Sequence, residues 1–120
     1  MSIHSSKENI FLRSLITASS AWTGGLSKLS WSDGSAWEFD NWEAGQPDGQ
    51  GCVVYGGQTT EWRIQSCGDQ MDFVCRKLCP MGWTMHEENC YQYVDQPESW
   101  DRARAECLSY QVSREVSQRY

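Results

Sequence analysis

The residues with chemical potential in this chain crowd into one polar stretch, Trp31 to Gly51, where Trp31, Trp37 and Trp42 sit among Asp, Asn, Gln, Gly and Pro. A loop with that many large rigid rings has to bury them against its own backbone, which leaves its oxygen-bearing side chains facing outward. Gln46 and Asp48 flank Pro47, and Gln50 follows two places later. This is the composition of a structured binding loop. A ring at Trp37 or Trp42 can stack on the apolar face of a ligand, although core packing is the plainer role, above all for Trp42. The plain reading of Gln46-Pro47-Asp48 is a turn in which proline fixes φ and the aspartate caps its own backbone.

Catalytic chemistry is less well served. His4 adjoins a helix cap and His86 sits in a turn beside Glu87 and Glu88, so both read as solvated surface residues. Glu61, Asp69 and Asp72 are carboxylates of the kind that strands and turns carry routinely. Cys75, Cys79 and His86 would suit zinc only in a reduced chain, and no cysteine nucleophile can be argued when every cysteine has a disulfide partner. The chain is not expected to be an enzyme.

The elements that must position the loop fit one domain with one core, since 120 residues of 39% apolar content leave no room for a second. Six cysteines without a CxxC pair read as three disulfides and an oxidising compartment. The first residues have neither a basic start nor an apolar run, and no stretch is long enough to span a membrane, so the chain is expected to be a piece of a longer secreted protein. A net charge of −6 without a clustered basic face excludes nucleic acid as a partner.

Ser5 and Glu8 have capping-box spacing, and Phe11, Leu12, Leu15 and Ile16 fall on one helical face, which predicts a short helix. Ala21 to Leu26 reads as a buried strand. Cys52–Tyr55 and Thr59–Ile64 read as two strands joined at Gly56-Gly57, and Met71–Lys77 as another. Ser99 is placed to cap a second helix that turns Trp100, Ala103, Cys107 and Leu108 to one face. In 111–120, Leu108, Val112 and Val116 continue at four-residue intervals, so this tail prolongs the helix without a role of its own.

The tryptophan stretch, with Trp31-Ser32-Asp33-Gly34, Asn41-Trp42, Gln46-Pro47-Asp48, Cys52, Trp62 and Cys67, resembles the long loop of the C-type lectin domain. Phe73-Val74-Cys75-Arg76 is similar to that family's last strand. Cys79 to Tyr93 resembles its opening hairpin in the long form with an extra cysteine pair, and Ser99 to Cys107 its first helix. The resemblance implies an α+β C-type lectin-like fold with two helices, small antiparallel sheets and a long irregular loop, in permuted or half-domain order. Residues 1–78 match the C-terminal portion of the domain, 79–110 its N-terminal portion, expected to complete the same globule, and 111–120 form a tail. Three accounts fit this order: a slice across a tandem array, a circular permutant, or two chains exchanging halves. By resemblance Cys52 pairs with Cys67, Cys79 with Cys90, and Cys75 with Cys107, the last joining the two portions.

In sugar-binding members a calcium ion on this loop chelates two sugar hydroxyls, and its ligands carry over one at a time. Gln46 and Asp48 match the triplet. Gln50 stands where the family has a glutamate, keeping an oxygen and losing the charge. After Trp62, Arg63-Ile64 replaces the family's Asn-Asp. One carboxylate beside a guanidinium is a poor calcium site, so no cofactor is expected. Arg63 is expected to occupy the vacated position and to pair with Asp48. The Gln-Pro-Asp triplet implies galactose or N-acetylgalactosamine, with Trp37 or Trp42 against the ring, and the runner-up is a calcium-independent module with a protein ligand.

Overall fold

A computed structural model describes residues 1–77, 84–86 and 89–118, with backbone alone at residue 77 and residues 111–118. The order is α1 (Ser6–Leu15), β1 (Ser20–Leu26), β2 (Ser30–Trp31), β3 (Cys52–Gly56), β4 (Trp62–Gln65), β5 (Met71–Lys77), β6 (Thr84–His86), β7 (Asn89–Glu98) and α2 (Trp100–Gln118).

Helix α1 starts where the capping box predicts. Ser5 Oγ accepts from the Glu8 amide at 3.2 Å, while the Glu8 carboxylate reaches back one residue past the cap, to the His4 amide at 3.3 Å. Leu12 and Ile16 turn into the core, with Phe11 and Leu15 partly buried against it. Asn9 on the same helix is 2% exposed, which the apolar pattern gave no sign of. Its side-chain amide donates to Thr60 O at 2.9 Å, its Oδ1 accepts from Trp62 Nε1 at 2.8 Å, and its backbone carbonyl accepts from the Tyr55 hydroxyl. One buried asparagine thus ties α1 to β3, β4 and the turn between them. A buried amide with all its groups satisfied avoids the cost of desolvation and fixes the position of the helix.

The strands form one seven-stranded sheet in the order β4-β3-β1-β5-β7-β6, with β2 paired to β1. Antiparallel pairs account for every junction but β1–β5, where a parallel pairing (Ala21↔Asp72, Trp22↔Phe73) fuses the antiparallel pieces into a single sheet. Strand β1 is buried from Ala21 to Gly25 because it has neighbours on both edges and cover on both faces. At Gly25 a side chain would meet Val53 at 2.9 Å, so glycine is what lets β1 and β3 approach. The returning strand β4 begins later than the sequence implies, because Thr60 sits at φ 63° and turns the chain before Trp62.

The sheet has two apolar faces. On one, Leu12, Trp31, Val53, Tyr55 and Trp62 form the core under α1. On the other, Trp22, Val54, Phe73 and Cys75 are covered by Trp100 and Ala103 of α2. Strand β7 runs antiparallel to β5 from Lys77↔Cys90 to Met71↔Glu98, so the last third of the described chain completes the sheet begun by the first two thirds. Helix α2 continues past residue 110 to Gln118. Leu108, expected on its buried face, is 44% exposed: Ala103 and Cys107 already meet the sheet, and Leu108 lies one residue round the helix from that line of contact.

Candidate functional site: the tryptophan loop

Twenty residues separate β2 from β3, and rings order most of them. Trp37 stacks on Trp31 with centroids 4.3 Å apart and lies nearly parallel to Trp42 at 6.0 Å, while Trp62 meets Trp31, Trp37 and Trp42 edge-on. Offset stacking and edge contacts are the favoured arrangements for these quadrupoles. Trp31 and Trp62 are buried; Trp37 and Trp42 are partly buried, so their outer edges remain within reach of a ligand. Trp22 and Trp100 are core residues on the other face, and Trp83 lies outside the described residues.

The backbone joins the sheet where Ser32 N donates to Gly24 O at 2.7 Å and again at Trp42. Trp42 bridges Trp62 in parallel, with Glu43 N donating to Trp62 O at 2.9 Å and Trp62 N to Asn41 O at 2.8 Å. The Asn41 side chain adds a bond to Thr60 O at 2.8 Å, so the left-handed Thr60 carbonyl is held by two asparagines, Asn9 and Asn41.

The triplet follows, with a cis Gln46-Pro47 bond and glycines at φ 84° and 81° on either side, at Gly45 and Gly49. Gln46 does not point outward. Its Oε1 accepts from Ile64 N at 3.0 Å and from Asp48 N at 3.2 Å, stitching the loop to β4. Asp48 and Gln50 are exposed. Arg63 departs from the pairing expected for it: its guanidinium lies 3.9 Å from Glu43 Oε1 and donates from Nε to Gln65 Oε1 at 3.1 Å. Among the described residues Asp48 forms no ion pair. The reason is register, since the Trp42–Trp62 bridge sets Glu43 beside Arg63, whereas the Gln46 bonds turn the triplet toward Ile64.

The residues in the positions of the family's calcium ligands are Gln46, Asp48, Gln50, Arg63 and Ile64. Gln46 Oε1 already accepts from two amides, Ile64 has only its backbone to offer, and Asp48 is the single carboxylate of the set. Among the described residues no three Asp, Glu, His or Cys side chains gather as a metal site.

A second polar cluster, absent from the sequence reading, anchors the base of the loop. Arg76 of β5 reaches Glu8 at 3.3 Å, Ser2 Oγ at 2.7 Å and Asp33 at 3.4 Å, and the Tyr91 hydroxyl donates to Glu8 at 3.2 Å. Burial pushes the Asp33 carboxyl up, but hydrogen bonds from Ser2 and Ser35 outweigh it and hold it at about 2. Burial, with Glu8 beside it, pushes the Tyr91 phenol up to about 12. His4 is not a solvated surface residue: its Nε2 is 2.9 Å from Ser2 Oγ, and its Nδ1 lies 3.0 Å from Glu38 without the alignment of a hydrogen bond. Ser2, His4 and Glu38 thus mimic a hydrolytic triad, yet Ser2 is 1% exposed and its hydroxyl donates to Asp33 at 2.6 Å, so it can neither meet a substrate nor lose its proton to His4. His86 lies on β6 and stacks on Phe11 at 4.2 Å. Asp72 is buried and bonded to the Tyr93 hydroxyl, and Asp69 accepts from Gln65 at 2.9 Å, so the carboxylates near Glu61 form no pair.

The disulfides Cys52–Cys67 and Cys75–Cys107 are formed. The second removes Cys75 from any zinc set. Cys90 is disulfide-bonded, and Cys79 lies outside the described residues. Among the described residues no helix is long and apolar enough to cross a membrane.

Comparison with known proteins fits this architecture. Human lymphocyte antigen 75 is 27% identical over 138 aligned positions, which take in 92% of this chain and 8% of that protein. Mouse proteoglycan 3 is 35% identical over 62% of this chain and 38% of its own length. The chain therefore spans well under half of either relative. The crystal structure of the cow C-type carbohydrate-recognition domain of CD23, in the presence of GlcNAc2Man3 oligosaccharide, superposes with a TM-score of 0.50 at 25% identity, over 78% of this chain and 68% of that one. The model of the lectin C-type domain matches residues 1–77, the span that holds α1, the tryptophan loop and the strands β1 to β5, and the chain belongs to the C-type lectin domain family.

Proposed function

We propose that this chain is a carbohydrate-binding module of a secreted or cell-surface protein that works without resident calcium, with galactose or N-acetylgalactosamine as its ligand class. The observation that carries the calcium-free reading is the double use of Gln46 Oε1 by Ile64 N and Asp48 N, which orders the triplet by hydrogen bonds within the chain. Ring edges at Trp37 and Trp42, the exposed Asp48 and Gln50, and the Arg63 guanidinium are the groups left to meet a sugar. The family and the GlcNAc2Man3 oligosaccharide in the cow relative's structure support glycans as the partner, and the galactose class rests on the Gln46-Pro47-Asp48 triplet alone.

A second reading, a protein ligand, is favoured by the same loss of cation ligands, because a divalent ion is the family's usual means of gripping sugar hydroxyls. A glycan array with and without chelator separates the two. Galactoside binding that survives chelator supports the first, binding that chelator abolishes overturns the calcium-free reading, and an empty array supports the second. Neither reading involves catalysis or nucleic acid.

The order of the chain fits a slice across two adjacent repeats, 79–110 being the first portion of the next repeat. One alignment runs through 92% of this chain inside a far longer relative, which supports that order as a natural one.

A further inference from the structure

The polypeptide passes from residues 1–77 to residues 84–118 only once, and every contact that seats the second segment pairs a residue from before that crossing with one from after it. Strand β7 takes the open edge of β5. Trp22 Nε1 donates to Glu98 O at 2.8 Å, Trp100 Nε1 to Thr23 O at 2.8 Å, and Trp100 N to Cys67 O at 2.9 Å. Trp100 and Ala103 cover Trp22 and Phe73, and Cys107 is bonded to Cys75. None of these contacts depends on the two segments belonging to the same molecule.

We propose that the seat formed by Trp22, Thr23, Cys67 and the edge of β5 is an exchange surface, and that its occupant in trans is residues 84–118 of a second copy of this chain. Exchange is a low-cost route to a dimer because each seat regains the contacts it makes within one chain. An identical copy fits better than any other helix and hairpin, because three pairings read side chains at fixed positions: Tyr91 with Glu8, Tyr93 with Asp72, and Cys107 with Cys75. An empty seat would leave an unpaired strand edge beside exposed Trp22 and Phe73, a surface that recruits another strand. In the exchanged dimer Cys75 of one chain and Cys107 of the other lose two protons and two electrons to oxidised glutathione, which leaves as two reduced molecules.

The inference is independent of which ligand the loop binds. The test refolds an equimolar mixture of nitrogen-15-labelled and unlabelled full chain in a glutathione redox buffer at rising protein concentration. Size exclusion separates the species, and non-reducing peptide mass spectrometry identifies the bridges. A dimer fraction that grows with concentration is expected, with up to about half of its Cys75–Cys107 bridges joining a heavy to a light peptide, as random pairing of identical copies requires. Monomer at every concentration, or dimers holding only same-label bridges, would overturn the proposal. In a second arm Cys75→Ser and Cys107→Ser chains are refolded together. Neither can form the bridge alone, so a covalent heterodimer linked through Cys75 and Cys107 is expected, and its absence with both chains folded counts against exchange.

Discussion

The tryptophan loop and the seam between β5, β7 and α2 belong to one sheet and are ordered by different means. The seam is built from repeating backbone bonds, a disulfide and two indole donors aimed at main-chain carbonyls. Among the described residues the loop has one isolated backbone bridge, at Trp42, and one backbone bond from Ser32 to Gly24, and it relies on stacked rings and on Asn41, Gln46 and Asp33 turned inward to backbone or to the base cluster. Stability in the seam is therefore spread along a ladder, whereas in the loop it is concentrated in a few side chains. The edges the loop does not use for its own order, at Asp40, Asp48 and Gln50, are left to solvent or to a ligand.

The strongest way to break this contrast is Trp62→Ala. The ring is fully buried, meets Trp31, Trp37, Phe39 and Trp42, and satisfies Asn9 Oδ1. Its loss is expected to cost about 3–5 kcal/mol, with more from the stranded asparagine oxygen. Urea unfolding followed by circular dichroism measures it, and a loss below about 1 kcal/mol would mean that the rings do not organise the loop. Next comes the seam. A Cys75→Ser, Cys107→Ser double variant is expected to lose about 2–4 kcal/mol in the same assay, while near-ultraviolet dichroism from the tryptophan loop keeps its native form below the transition. Collapse of that loop signal together with the seam would show that the two regions are not separately ordered.

Parts of both regions are legible in the sequence. The Ser5 cap and the spacing of Leu12 and Ile16 located α1, since capping and periodicity are local properties. The continuous apolar run of β3 and the buried strand around Trp22 are likewise readable, and the resemblance supplies the pairings Cys52–Cys67 and Cys75–Cys107. What escaped was polar and distant. Asn9 finds Trp62 across 53 residues and Glu8 finds Arg76 across 68, and such pairings leave no periodic mark. Charge chemistry alone pairs Arg63 with Asp48. The bridge that hands it to Glu43 instead depends on a parallel register between loop and strand that spacing does not encode. His4 and His86 look solvated in the sequence for the same reason, since their partners Ser2, Glu38 and Phe11 are set by tertiary structure.

Gln46→Ala sharpens the comparison at smaller scale. It removes one acceptor that serves two amides, at Ile64 and Asp48. The expected cost is about 1–2 kcal/mol, confined to the loop. Hydrogen exchange should quicken at those two amides and stay unchanged along the β5–β7 ladder, with and without chelator. Exchange that slows on adding calcium to the native chain would show that an ion, and not Gln46, holds the triplet.

Acid gives the gentlest probe of the loop's base. Asp33 is held at about 2 against an ordinary 3.8, so the folded state binds its proton less readily than the unfolded one. A carboxylate shifted in that direction adds stability that is complete above about pH 4 and disappears as pH falls from there toward 2. Its side chain is 40% exposed, so solvent screens its ion pair with Arg76 and the total effect should be modest. Asp33→Asn should therefore be less stable than the native chain at neutral pH, and the gap should narrow steeply between pH 4 and pH 2, where about half of the native carboxyl has become neutral. Paired urea titrations at pH 7, 4 and 2 measure that gap. A difference that stays constant down to pH 2 would mean that the asparagine acts through altered packing against Ser2 and Ser35, and that the charge of Asp33 does not fasten the loop to β5.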